Sequence, residues 1–483
     1  MIAPSAAHAS PACVVIFGAS GDLTQRKLAP ALHSLACAGR LSPRTRILGV
    51  GRSETTDEAF RDRLFEGVEA YAQLKPDPKL CDLWSRFEQR VEYFCMPDMD
   101  TADFVRLAEL LRSAEWASDT DENVLFYLAT PPTATPPIVQ GLGDVGLAAP
   151  GVGWRRTVFE KPFGYDLIAA QDLNRIVHGV FDESQVLRID HYLEKETVQN
   201  ILAFRFANAI FEPVWNRNYV AHIQITVAES IGVEHRAEYY DQVGVLRDIV
   251  QSHLLQLLAL VAMEPPNSSA AKALRDEKVK ALEAIRPIET DDLVLGQYSD
   301  YRDEDGVALD SRTPTYAALR LYVDNWRWSG VPFYVRSGKR LAEKKTEITL
   351  QLKEVPHQLF PQGGEPAPNR ISLQIQPNEG VHLRFEAKVP GGGMQTRPVD
   401  MVYRYEEQFG EAGLPDAYER LLLDALNGDP SLFIRSDEIE LSWGLVDPLL
   451  RTDVEPIPYR TGTWGPEEAD RLFEGPGERW LDE

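Results

Sequence analysis

The apolar run Cys13–Phe17 stops at Gly18 and is followed by a second glycine, Gly21, and then by a helix-like stretch, Arg26–Ala38. This strand–glycine–helix punctuation restricts the fold more than any other feature of the chain. A short buried strand feeding directly into a helix is the opening of a βαβ unit, and it implies parallel strands covered by helices on both faces. Arg46–Val50, Asn123–Ala129 and Arg156–Phe159 read as further strands of the same kind, the last preceded by the turn-rich segment 148–153. Beyond residue 195 the pattern changes. Ala221–Val227, Tyr316–Val323, Glu347–Leu352, Arg370–Gln376 and Val381–Phe385 alternate apolar and polar residues, which suits an antiparallel sheet with one wet face. A chain of 483 residues has room for both. The expected architecture is an α/β domain over 1–195, a Rossmann-like doubly wound parallel sheet, and an α+β domain over 196–483 with a large, mainly antiparallel sheet. Ligand is expected where the carboxyl ends of the first sheet face the second domain.

Charge narrows the function. Asp and Glu number 74 against 50 Lys and Arg, a formal net charge of −24. Such a surface repels nucleic acid and anionic membranes, so neither is expected as a partner. A few clustered cations can still make a positive pocket for an anionic metabolite. The four cysteines, Cys13, Cys37, Cys81 and Cys95, form no C-x-x-C pair and are expected as free thiols in a reducing compartment. The opening Met1–Ser5 has neither a basic flank nor an apolar stretch, and the apolar run Leu254–Met263 is short for a bilayer, so a soluble cytoplasmic protein is expected.

Four stretches carry candidate chemistry. Gly18-Ala19-Ser20-Gly21-Asp22-Leu23 lets the backbone approach a pyrophosphate at a helix N-terminus. The full Gly-x-Gly-x-x-Gly fingerprint lacks its glycines at Ser20 and Leu23, so the turn alone is as often structural as nucleotide-binding. Arg52, at the end of the second strand, suits an adenosine 2′-phosphate and favours NADP, while Glu54 leaves room for NAD. Glu160-Lys161-Pro162 closes a strand and sets Lys161 at the sheet edge, with Pro162 a candidate cis residue. Arg188, Asp190, His191, Tyr192, Glu194, Lys195 and Glu196 crowd into nine residues, either a solvated charged turn or a donor set for a phosphate. If a helix starts there, His191 and Lys195 stand one turn apart and can face one anion.

Asp241–Met263 reads as one long helix capped by Asp241, with Val245, Leu246, Ile249, Val250 and Leu254 at helical spacing. It carries Asp248 and His253, five residues and about 140° apart on an α-helix. A histidine in an apolar helix is more often a satisfied core residue than a catalyst. As a base, His253 needs an orienting carboxylate from elsewhere, for which Asp190 is the natural candidate.

Taken together, GASGDLTQRKLAPAL (18–32), FEKPFG (159–164), RIDHYLEKETVQN (188–200), VGVLRDIVQSHLLQ (243–256), VPFYVRSGKRL (331–341), DAYERLLLDAL (416–426) and GTWGPEEAD (462–470) resemble the glucose-6-phosphate 1-dehydrogenase family over nearly the whole chain. The resemblance implies NADP-dependent oxidation of glucose 6-phosphate at C1 to the lactone, a soluble homodimer or homotetramer, and no metal. It implies that His253 is the general base, Asp190 its partner, and Lys161 a bridge between sugar and cofactor. His191, Tyr192 and Lys195 match the phosphate site, with Glu229, Asp248, Lys339 and Lys344 on the rest of the sugar. Gly18, Ser20, Gly21, Asp22, Leu23, Lys27 and Arg52 match the cofactor site. Three departures stand out. Glu194 replaces the glycine usual in this motif and is expected to add negative charge near the phosphate unless it points to solvent. Ser252 replaces the usual Asn, and Thr133–Pro137 replaces the Phe-Gly usual after Ala129-Thr130-Pro131-Pro132. Sugar dehydrogenases of the glucose–fructose oxidoreductase type share the Glu-Lys-Pro turn but not the RIDHY and RDIVQSH blocks. A regulator that kept the fold would have lost the base or the phosphate ligands.

Overall fold

The computed structural model describes residues 8–72, 88–149, 151–357, 359–360, 368–410, 416–475 and 478–481. Two compact units are present: residues 1–194 with 270–272 and 415–439, and residues 195–269 with 273–414 and 440–483.

The first unit is built on β1 (Cys13–Phe17), β2 (Arg46–Gly51), β3 (Val91–Cys95), β4 (Val124–Leu128), β5 (Arg155–Phe159) and β6 (Val186–Arg188). All pair in parallel in the order β3-β2-β1-β4-β5-β6, the doubly wound arrangement read from the sequence. The strand order reverses between β1 and β4, the switch point at whose carboxyl ends a doubly wound sheet takes its ligand. Every residue of β1 and β4 is buried, because helices cover both faces. Side chains alternate between two cores. Val14, Ile16 and Tyr127 enter one, while Val15, Phe17 and Phe126 enter the other. β3 was not expected as a strand; its partly polar VEYFC lies at the sheet edge.

The helix Ala417–Asn427 belongs to this unit although it lies far along the chain. Its Leu421, Leu422, Ala425 and Leu426 join the core of Val14 and Ile16. Each buried leucine stabilises by about 1.5–3 kcal/mol, enough to tie a distant segment into place. Asp416 caps the helix by accepting the Tyr418 N–H at 2.9 Å, and Gly428, at φ +73°, ends it.

The second unit carries nine strands: β7 (Val220–Ala228), β8 (Leu293–Tyr298), β9 (Tyr316–Tyr322), β10 (Pro332–Gly338), β11 (Lys345–Leu352), β12 (Arg370–Gln376), β13 (Gly380–Lys388), β14 (Thr396–Arg404) and β15 (Ile457–Tyr459). The order is β14-β13-β12-β11-β7-β10-β9-β8-β15, antiparallel except for the parallel pairs β10–β7 and β15–β8. The expectation of one wet face needs correction at the centre. β10 is buried throughout and β11 nearly so, because helices pack on this sheet and the C-terminal segment packs on its strands β8 and β9. That double burial also explains why β10, with no alternation, escaped a period-2 reading.

The long helix expected from Asp241 is broken. Residues Ala237–Val245 end at Gly244 (φ 63°, ψ 172°), Leu246–Leu254 winds as a π-helix, and Leu255–Ala262 continues as α. Asp241 is not a cap: it accepts hydrogen bonds from Tyr301 at 2.9 Å and Ser311 at 2.5 Å. By length and composition Ala237–Ala262 is apolar enough to cross a bilayer, but its apolar window is 83% buried inside the protein, as a core helix is. The free-thiol expectation holds for Cys13 and Cys95 and fails for Cys37, which is disulfide-bonded; Cys81 lies outside the described residues.

Candidate active site

In the first unit the turn after β1 is held by its glycines. Gly18 has φ +82°, and a Cβ there would stand 2.3 Å from the Ala129 carbonyl oxygen, so no other residue fits. The Gly18 and Ala19 amides donate to the Val50 carbonyl at 3.0 and 3.1 Å, which joins the turn to the end of β2. The helix expected from Arg26 begins instead as a π segment, Thr24–Leu28, followed by an α-helix, Ala29–Cys37. Ser20, Asp22 and Lys27 are exposed, and Gly21 and Leu23 are half-buried. Asp22 binds Arg26 at 2.7 Å, and Lys27 binds Asp416 at 3.3 Å and lies 5.8 Å from the Tyr418 ring. The close packing that a third fingerprint glycine usually permits comes from elsewhere. Gly67, on the helix Asp57–Tyr71, would place a Cβ 2.2 Å from the Gln25 carbonyl oxygen. Arg52 leaves the end of β2 exposed, and its guanidinium makes no hydrogen bond or ion pair with a described residue.

Lys161 follows β5, half-buried, and the Lys161–Pro162 bond is cis, as the sequence invited. Its neighbour Glu160 accepts from the Tyr127 hydroxyl at 2.5 Å and the Tyr418 hydroxyl at 3.4 Å. Burial pushes this carboxyl above its usual range, while the two phenols and Lys161 pull it back. Sequence reasoning missed this brace, although Tyr418 lies in the quoted DAYERLLLDAL stretch.

The Arg188–Glu196 cluster is no solvated turn. Arg188 is 1% exposed, binds Glu183 at 2.7 Å and Asn174 at 3.0 Å, and stacks 4.8 Å from Phe163 of the neighbouring motif. Asp190 is also buried, and its Oδ1 accepts the Tyr192 N–H at 2.9 Å. His191 is exposed, 5.2 Å from the buried Tyr192 ring. Glu194 reverses expectation: it is 1% exposed rather than solvent-facing. Burial drives its carboxyl well above the usual range, aided by Asp424, Asp190 and Asp429 and opposed by Arg420. The fold therefore favours the neutral carboxyl over the charged one.

In the second unit the helix after this cluster begins only at Glu196, so the one-turn relation of His191 and Lys195 does not apply. Lys195 stands at its N-cap and donates to Gln376 Oε1 at 2.5 Å. Lys339, 8% exposed, binds Glu229 Oε2 at 2.5 Å and lies 4.9 Å from the Tyr240 ring. Burial raises the Tyr240 phenol, and the charges of Asp248 and Glu229 raise it further. Lys344 is exposed just before β11. The π winding of Leu246–Leu254 revises the geometry of Asp248 and His253. In a helix bonded i→i+5, residues five apart stack one turn above the other, so the two share a face instead of diverging by 140°. His253 is 1% exposed, and Ser252 donates to the Asp248 carbonyl at 3.2 Å.

Residues 15–200 match the glucose-6-phosphate dehydrogenase NAD binding domain, and residues 202–481 match the glucose-6-phosphate dehydrogenase C-terminal domain. The chain is 44% identical over 485 residues to the glucose-6-phosphate 1-dehydrogenase of Aggregatibacter actinomycetemcomitans, covering 97% of each. Among solved structures it resembles the Mycobacterium avium glucose-6-phosphate 1-dehydrogenase at 38% identity and TM-score 0.85, over 98% of this chain and 100% of that one. A glucose-6-phosphate dehydrogenase in complex with glucose 6-phosphate aligns at 35% identity and TM-score 0.90, over 97% and 99%.

Proposed function

The chain belongs to the glucose-6-phosphate dehydrogenase family, and from that membership we propose that it oxidises D-glucose 6-phosphate at C1 to 6-phospho-D-glucono-1,5-lactone, with NADP preferred over NAD. It is an oxidoreductase acting on a CH–OH donor. We assign cofactor binding to the first unit, substrate binding and dimerisation to the second, and the opening step of the oxidative pentose phosphate pathway in the cytoplasm as the setting. The observation that carries the substrate reading lies in the second unit: Lys339, paired with Glu229, stands beside the buried Tyr240 ring.

Gly18, Ser20, Gly21, Asp22, Leu23, Lys27 and Arg52 would hold the dinucleotide. The fit is supported by Arg52, exposed after β2 with no hydrogen bond or ion pair to a described residue. When bound, the nicotinamide supplies the hydride acceptor. His253 takes the proton of the C1 hydroxyl, and Asp190 orients the imidazole and stabilises the imidazolium that forms. His191, Tyr192 and Lys195 hold the 6-phosphate; Glu229, Asp248, Lys339 and Lys344 complete the sugar site, and Lys161 touches both sugar and cofactor. Anchoring the remote phosphate fixes C1 for reaction. Association into a homodimer or homotetramer through the nine-stranded sheet is supported by exposed Phe385 and Met401, which share one face of β13 and β14. The test is absorbance at 340 nm with glucose 6-phosphate and NADP, then NAD. We expect reduction with both and faster turnover with NADP; no reduction with either, in a folded sample, overturns the reading.

A further inference from the structure

The turn that presents Arg52 is held from the neighbouring strand. β2 and β3 run parallel with Gly51 opposite Cys95, and the Met96 N–H donates to the Gly51 carbonyl at 2.9 Å. Past that point two side chains of β3 take over. The Tyr93 hydroxyl donates to the Ser53 carbonyl at 2.8 Å, and the Cys95 thiol reaches the Arg52 carbonyl at 3.6 Å, within a sulfur donor's range. Residues two apart on a strand share a face, which is why this pair can act together. Phe94, between them, packs into the opposite core.

Tyr93 is itself fixed. Its ring is 5.2 Å from Phe60 and tilted by 53°, and its N–H donates to Asp57 Oδ1 at 2.7 Å. The hydroxyl crosses β2 only because residue 51 is glycine: a Cβ there would stand 2.4 Å from the Tyr93 oxygen. Two successive carbonyls, those of Arg52 and Ser53, are thus pinned, which sets the direction in which the Arg52 side chain leaves the sheet. A turn free to shift would offer Glu54 to ribose hydroxyls instead.

We propose that Tyr93 and Cys95 are positioning residues for cofactor choice: by holding the Arg52–Ser53 turn, they aim Arg52 at a 2′-phosphate. The inference rests on the reading of Arg52 as the 2′-phosphate ligand. The test is calorimetric titration of 2′,5′-ADP and of 5′-ADP into the wild-type protein, Tyr93→Phe and Cys95→Ala. Tyr93→Phe keeps the ring against Phe60 and removes only the brace. It should weaken 2′,5′-ADP about three- to tenfold, the worth of one hydrogen bond, and leave 5′-ADP within about twofold. Cys95→Ala should shift the same ratio by a smaller factor, since a thiol donor is weak, and it stands in if Tyr93→Phe does not fold. Equal losses for both ligands, or no loss of 2′,5′-ADP, overturn the inference while leaving Arg52 as ligand. A wild-type protein that binds the two ligands equally overturns the Arg52 reading and the inference together.

Discussion

Glu194→Gln should make the protein more stable, and by an amount that grows with pH. Burial favours the protonated form of this carboxyl, helped by Asp424, Asp190 and Asp429 and opposed by Arg420. Its folded pKa lies above the unfolded one, so the folded state binds the proton more tightly. The stabilisation from that proton is complete below the unfolded glutamate range and is lost as pH rises, at about 1.4 kcal/mol per pH unit for one group. As pH rises above the unfolded glutamate range, the wild type should therefore lose stability that the glutamine variant, which has no proton to lose, keeps. For a unit of roughly two hundred residues, each kcal/mol so lost lowers Tm by about 2–4 °C. Melting curves of both proteins at pH 5.0, 6.0, 7.0 and 7.5 check this. The curves should nearly coincide at pH 5 and separate steadily above it. Asp424 is raised too, by burial and Asp429 against Arg420, so the two acids titrate as a pair and the separation belongs to the pair. Equal Tm differences at every pH would refute the reasoning, because they would mean that Glu194 is already ionised in the fold.

Three further substitutions test the chemistry. His253→Asn should leave the substrate KM nearly intact and lower kcat by about 10²–10⁴-fold, the usual worth of a general base; steady-state kinetics showing an unchanged kcat would remove the assignment. Lys195→Ala should weaken glucose 6-phosphate far more than glucose, because a charge-assisted contact to the phosphate is lost; comparing kcat/KM for the two sugars checks it, and equal losses would show that Lys195 does not read the phosphate. Asp190→Asn should cut kcat clearly while Tm stays close to wild type, since the amide keeps an oxygen to accept the Tyr192 N–H; a large drop in Tm with little change in kcat would leave Asp190 a turn-forming residue only.

The amino-acid sequence by itself determined the fold class of each half. Short apolar runs such as Cys13–Phe17 must be buried on both faces, and alternating runs such as Arg370–Gln376 must lie half in a core; these are local requirements that survive any packing. The glycine at 18 was equally legible, because a turn that close to a neighbouring strand tolerates no side chain. Tertiary structure decided what depends on residues far apart. Glu194 reads as a charge in the sequence, yet its carboxyl is pushed well above the usual range by burial and by Asp424 and Asp429, more than two hundred positions on. The helix Ala417–Asn427 carries no mark that it belongs with residues 1–194; its leucines find that core because burial has no preference for sequence distance. Asp248 and His253 share a face because the helix winds as π after Gly244, whereas periodicity assumes 3.6 residues per turn. Local propensity fixes the pattern of burial, but the partner that gives a buried polar group its charge state, or a helix its winding, is supplied by the rest of the fold.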